Sequence, residues 1–183
     1  MALFRRPSRE PLAVTMAGVK LGDRLLAVGM SDTALIAALA TRAGLTGVAA
    51  AVDADEARVR DGAAAIERQG ALVEVSRAPW ETLPFEAASF DVAIIRDLLP
   101  SLPPDVRAGC LREVLRVLRP GGRLIVVETA RSGIGALVGR RAEDTAYASS
   151  GGAAAALEAS GFAGVRLLAE REGARFVEGA RRA

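Results

Sequence analysis

Histidine is absent from the 183 residues, and cysteine occurs once, at Cys110. Those two facts remove the His-based triads, the usual zinc and iron centres, an internal disulfide framework and the commonest general base. Chemistry in this chain must run on Asp, Glu, Arg, Tyr or Ser, or on a bound cofactor. The residues with chemical capacity fall in short clusters. Gly29, Met30, Ser31 and Asp32 form one, and Asp53, Ala54 and Asp55 a second. Ala78–Glu81, with the only tryptophan at Trp80, is a third, and Arg96–Leu99, with Asp97, is a fourth.

The elements that must position these clusters alternate. Arg24–Val28 is an apolar run bounded by Gly22-Asp23 and Gly29, the pattern of a buried strand. Ser31-Asp32-Thr33 supplies N-cap chemistry for a helix with Leu35, Ile36 and Leu39 on one face, ended by Gly44. Gly47–Val52 is a second strand, stopped by Asp53. Asp55 caps a helix reaching about Gln69, and Leu72–Val75 and Phe90–Ile95 are the next strands. Val106, Cys110, Leu111, Val114, Leu115 and Leu118 repeat at three and four residues, which predicts a helix stopped at Arg119-Pro120-Gly121-Gly122. Arg123–Glu128 is a fifth strand, Arg131–Gly152 a loose stretch and Ala153–Ser160 a short helix. Val165–Glu170 and Arg175–Gly179 end the chain as two strands.

This order predicts a single α/β domain, a doubly wound, mostly parallel sheet. The last connection is too short for a helical crossover, so the final two strands form an antiparallel hairpin. In such sheets ligands bind beyond the carboxyl ends of the strands, and all four clusters lie there.

Composition narrows the class. The chain is 51% hydrophobic and 25% charged, with a formal charge of +2, which excludes disorder. Aromatics are 4% and Lys20 is the only lysine, so nothing supports nucleic-acid binding. The N-terminus predicts no signal peptide. The apolar window Ala34–Val52 is interrupted by Arg42, Gly44 and Gly47, which fits a helix, turn and strand better than a membrane span. A soluble, cytoplasmic protein is the expectation, with residues 1–18 as an extension and 19–183 as the domain.

Leu83–Ile95 (LPFEAASFDVAII), Leu111–Glu128 (LREVLRVLRPGGRLIVVE) and the ending GFAGVRLLAEREGARFVEGAR resemble the class I S-adenosylmethionine (SAM)-dependent methyltransferases. The similarity is to their small-molecule branch, which includes quinone-biosynthesis enzymes. It spans about Val19 to Arg181 and implies a Rossmann-like sheet of order 3-2-1-4-5-7-6. It also implies SAM as cofactor, a small-molecule acceptor, and a cofactor site at Gly29, Met30, Ser31, Asp32, Asp53, Ala54, Trp80 and Arg96.

The family's acid-then-Gly-x-Gly-x-Gly pattern is only partly present. Gly29 is retained, Ala27 stands at the acid, and Ser31 and Thr33 stand at the later glycines. Asp32 replaces the acid or caps the helix. Asp53 matches the carboxylate that accepts from the ribose diol, the other reading being a helix cap. Pro79 stands where an Asp reads the adenine amino group, so Trp80 stacks on adenine or anchors the core. Arg96 pairs with Asp97 or binds an acidic group of substrate or cofactor. Cys110 reads as core. Tyr147 reads as a partly exposed loop aromatic or a substrate-orienting group. Arg131, Arg140 and Arg141 around SGIGALVG read as a solvated lid, contact with a lipid-like acceptor or a membrane surface being the less favoured alternative.

Two competitors stand beside methyl transfer. One is a non-catalytic domain of the same fold acting as a binding or regulatory partner, with a protein partner or a homodimer as its contact. The other, a nicotinamide-dependent oxidoreductase, needs a Gly-x-Gly-x-x-Gly turn that Gly29–Ala34 does not supply.

Overall fold

A computed structural model describes residues 11–129 and 142–183. Helix α1 (Leu12–Ala17) leads into β1 (Arg24–Val28), α2 (Thr33–Ala43), β2 (Val48–Asp53), α3 (Glu56–Arg68) and β3 (Glu74–Arg77). There follow β4 (Phe90–Arg96), a 3-10 turn (Leu99–Ser101), α4 (Pro104–Val117) and β5 (Leu118–Thr129). Helices α5 (Ala142–Ser149) and α6 (Gly152–Ala159) precede the hairpin β6 (Ala163–Arg171) and β7 (Ala174–Ala180). The sheet has seven strands in the order β3-β2-β1-β4-β5-β7-β6. Strands β1 to β5 are parallel, and β7 runs antiparallel to both β5 and β6. The expected order and closing hairpin are those observed.

Alternation along each strand divides the core into two layers. Leu26, Val28, Ala93, Ile95, Leu124 and Val126 face Cys110, Leu111 and Val114 of α4 and Leu157 of α6. Leu25, Ala27, Ile94, Ile125 and Val127 face α1 and α2 through Val14, Ala17, Ile36 and Leu39. The boundary expected at residue 18 falls just after a packed helix: Ala13, Val14 and Ala17 are buried. Arg123 Nη2 also donates to Gly18 O at 2.6 Å.

Besides α1, which the sequence reading left in the extension, three elements differ from the sequence expectation. Strand β3 is displaced two residues, because Ser76 and Arg77 are the residues that pair with Val52 and Asp53, while Leu72 stays in solvent. Strand β5 starts at Leu118, directly after α4, rather than after the Pro-Gly-Gly turn. The turn bulges within the strand, and a side chain at Gly122 would sit 2.8 Å from Arg119 O. Part of the stretch expected to be loose is helix α5; residues 131 to 141, with Arg131, Arg140, Arg141 and SGIGALVG, lie outside the described residues.

The segment between β3 and β4 is tied to α4 by one ion pair. Arg116 Nε donates to Glu113 Oε1 at 2.8 Å, and its Nη1 and Nη2 donate to Phe85 O and Leu83 O at 2.9 and 3.2 Å. Glu113 Oε2 accepts from Leu83 N at 2.9 Å. The hydrogen bond from Arg116, aided by Leu83 N, holds the Glu113 carboxyl below the usual carboxylate range, against the opposing effect of its burial. A depressed carboxylate stabilises the fold above its unfolded pKa, near 4.5, and loses that contribution as pH falls through its folded value. Glu113→Ala is therefore expected to cost about 1–2 kcal/mol in urea unfolding at neutral pH. The difference from the parent should shrink steadily as pH is lowered below about 4.5. A difference unchanged at acid pH would show that packing, not the charge pair, holds this segment.

Candidate functional site

The site grows from the carboxyl ends of β1, β2 and β4. Gly29 leaves β1 with φ +88°, a left-handed conformation that favours glycine, and its N–H donates to Val52 O at 2.8 Å. A Cβ there would also lie 3.4 Å from Leu98 Cδ2. Next along the turn, Met30 N donates to Asp53 Oδ2 at 2.9 Å, and Asp55 N donates to Asp53 Oδ1 at 2.9 Å. Asp53 is only 1% exposed. Its carboxylate thus braces the turn after β1 against the turn after β2. The Asp53 carbonyl accepts from Ala78 N at 3.2 Å, which joins the end of β3 to the same brace. Ala54 is half-buried beside it, its carbonyl accepting from Arg77 Nε at 3.3 Å. The helix cap is a separate residue: Asp55 Oδ1 accepts from Arg58 N at 3.0 Å.

Met30 buries its side chain against α3, where a Cβ on Gly62 would stand 2.5 Å from Met30 Cε. The small residue in α3 is what lets the turn close down on it.

Asp32 is the helix cap, and its second oxygen pairs with a cation across the edge. Its Oδ1 accepts from Leu35 N at 2.9 Å, capping α2, and its Oδ2 lies 2.8 Å from Arg96 Nη1. Arg96 therefore pairs more closely across the edge with Asp32 than with its neighbour Asp97, whose Oδ2 is 3.5 Å from Arg96 Nε. Both Asp32 and Arg96 are partly exposed. Ser31 Oγ donates to Arg96 O at 3.1 Å, so the residue at the second glycine position stitches β1 to β4. Asp97 turns back on β5, accepting from Thr129 N at 2.6 Å and Thr129 Oγ1 at 2.8 Å.

Trp80 follows β3, half-buried and packed on the core layer that contains Leu83 and Phe90. Pro79 beside it offers no side-chain polar group. Cys110 is core, as expected, and burial pushes its thiol up to about 12. Tyr147 differs from the expectation. It is buried on α5, not a partly exposed loop aromatic, because its ring lies under the Arg107 guanidinium at 4.3 Å. Its hydroxyl donates to Glu128 Oε1 at 2.6 Å. Burial first, and then the Glu128 charge, raise the phenol's pKa well above the ordinary value, so it remains a donor.

The sequence reading missed Glu128 and Arg107. The only signal was that Glu128 ends a strand at the ligand edge. Among the described residues no cluster of acidic or cysteine side chains is arranged to hold a metal ion, and no helix is long and apolar enough to cross a membrane.

Residues 26–126 match the family described as the methyltransferase domain. The chain is 34% identical over 122 residues to the ubiquinone/menaquinone biosynthesis C-methyltransferase UbiE of Bordetella parapertussis, covering 67% of this chain and 46% of that protein. It is 30% identical over 118 residues to the Chromobacterium violaceum protein of the same description, covering 64% and 48%. The chain thus spans about half the length of these curated relatives. A SAM-dependent methyltransferase from Aquifex aeolicus superposes with a TM-score of 0.74 at 20% identity, over 93% of this chain and 88% of that one. The seven-stranded sheet is accordingly that of the SAM-dependent methyltransferases. With more than half of its length matched, the chain belongs to the methyltransferase-domain family.

Proposed function

We propose that this chain binds SAM at the carboxyl edge of its sheet and supports methyl transfer to a small-molecule acceptor. The observation that carries the reading is the Asp53 brace: a buried carboxylate at the end of β2 that fixes a left-handed glycine turn at the end of β1. Both lie inside the family-matched segment.

The residues fit the cofactor. Gly29 keeps side-chain atoms out of the turn, so the backbone of Gly29–Asp32 can approach a ligand closely. Each Asp53 oxygen has accepted one backbone hydrogen bond, and a carboxylate has about four acceptor sites, so acceptor capacity remains, and at 1% exposure a ribose diol reaches it only when the adjoining turn moves aside. Ala54 lines the same turn. Trp80 offers an aromatic face for adenine in place of the polar readout that Pro79 lacks. Arg96, held by Asp32, is the cation for the carboxylate at the other end of the ligand. When bound, SAM supplies an electrophilic sulfonium methyl. The chain's own contribution is to hold and align the reactants at the strand ends, where proximity does much of the work. Residues 19–183, with α1 packed on them, form the binding domain, and the cytoplasm is the compartment this reading implies.

The test is calorimetric titration with SAM and its demethylated product, with Trp80 fluorescence as a second signal. Asp53→Ala should weaken binding by about tenfold to 150-fold, equivalent to 1.5–3 kcal/mol. Asp55→Ala, which removes only a cap, should change it less than about threefold. Equal effects would remove the ribose assignment, and an unresponsive Trp80 in a binding-competent protein would remove the stacking.

Restoring the family acid should not repair the loop. Ala27 is 1% exposed and packs in the apolar layer with Leu39 and Ile94. Ala27→Asp is expected to lower stability by about 2–4 kcal/mol through an unpaired buried carboxyl. An unchanged melting temperature with tighter SAM binding would show that the strand accommodates it.

A further inference from the structure

A cavity of about 310 Å³ opens between α4 and α6, with Tyr147 and Ser150 closing one side. That volume is at the low end of the range for small-molecule sites. Its apolar walls include Ala108 and Leu111 of α4 and Ala155 and Ala156 of α6. The charged side chains that line it are Arg107 and Arg112, and no Asp or Glu is among them. Arg112 is exposed, whereas Arg107 is only 9% exposed.

Arg107 is a buried cation that the protein does not neutralise. Its Nε donates to Leu99 O at 2.8 Å and its Nη2 to Leu102 O at 2.7 Å. The face of the guanidinium lies over the Tyr147 ring at 4.3 Å. These contacts fix its plane but carry no negative charge. Among the described residues no carboxylate forms an ion pair with it; Glu128 is met instead by the Tyr147 hydroxyl. Arg107 also belongs to the first turns of α4, where the helix dipole disfavours a cation. A buried charge without a counter-ion is costly, so an anion at this point would supply what the fold lacks.

The chemistry of the guanidinium narrows the class of anion. Arginine has five N–H donors, and the two carbonyls use two of them. Both N–H groups of Nη1 and one of Nη2 are left, and the parallel pair across the two nitrogens matches the two oxygens of a carboxylate. We propose that the cavity binds a small organic monocarboxylate, its head on the Nη1 edge of Arg107 and its hydrocarbon body along Ala108, Leu111 and Ala156. Inorganic phosphate would leave the apolar walls uncovered, and it would need more donors than one guanidinium edge offers. The Ser150 hydroxyl is already used, donating to Tyr147 O at 2.9 Å. The cavity shares no residue with the proposed cofactor site, so this assignment is independent of the cofactor reading.

The test is titration of the isotope-labelled whole chain with sodium hexanoate, followed by its backbone amide spectrum. Saturable shifts are expected at Arg107, Ala108, Leu111 and Ala156, with a Kd of about 1 mM or tighter. Hexan-1-ol, the same chain without the charge, should bind roughly tenfold more weakly or not at all. Arg107→Gln should abolish binding. Ala159→Trp, at an exposed position on the cavity wall, should weaken it roughly tenfold by blocking entry, and it carries the test if thermal melts show that Arg107→Gln is unfolded. Arg96→Gln, which removes the cation at the carboxyl edge, should leave the shifts in place. No shift at about 10 mM hexanoate overturns the proposal, as does binding that ignores Ala159→Trp or vanishes in Arg96→Gln. Hexan-1-ol binding equal to that of hexanoate overturns the charge assignment, and inorganic phosphate competing as tightly as hexanoate overturns the carboxylate class.

Discussion

One carboxylate holds the ligand edge of this sheet together. Asp53 accepts from Met30 N with one oxygen and from Asp55 N with the other, so three consecutive features depend on it: the left-handed turn at Gly29, the end of β2 and the start of α3. Its own carbonyl receives Ala78 N and extends the bracing to the end of β3. Hydrogen bonds to a charged acceptor are about twice as strong as neutral ones, and in a buried position they are shielded from water and salt. A parallel sheet leaves the turns at its carboxyl edge without a ladder to order them. Here the Asp53 side chain supplies that order between the turns after β1 and β2.

The same economy explains how the edge tolerates a sparse version of the family's loop. Ser31 and Thr33 stand where glycines are usual, yet Ser31 is used, through its hydroxyl, to tie β1 to β4 at Arg96 O. Asp32 caps α2 and at the same time anchors Arg96. Ala27 is simply core. The surface proposed to face the cofactor is therefore built from backbone and from residues that also have structural partners. Substitution at Asp53 or Asp32 will move stability and binding together, and only a comparison with neighbours such as Asp55 separates the two.

Much of the fold was legible in the sequence. The three-and-four repeat from Val106 to Leu118 marks α4, the apolar runs mark β1, β2 and β4, and the short link around Glu172-Gly173 forces an antiparallel closing pair. What was not legible depended on partners distant in sequence. Nothing near Asp53 says that Met30, 23 residues earlier, donates to it. Nothing near Arg96 says that Asp32 is a closer partner than Asp97. Tyr147 read as a loop residue because its burial comes from Arg107 and Glu128, on two other elements. Helix α1 escaped notice because six residues give barely two turns of periodicity, and its burial is decided by the sheet and α2. Strand β3 slipped by two because Leu72 looks like a core residue and is instead on the surface.

The central claim is that SAM is held where β1, β2 and β3 end, around Asp53. The most direct measurement is the backbone amide spectrum of the labelled protein on titration with S-adenosylhomocysteine. The account predicts saturable shifts at Gly29–Asp32, Asp53–Asp55 and Ala78–Glu81, with little change at Leu45 and Leu72 on the opposite edge. A spectrum unchanged at millimolar ligand, or shifts confined to residues away from those three turns, would contradict it.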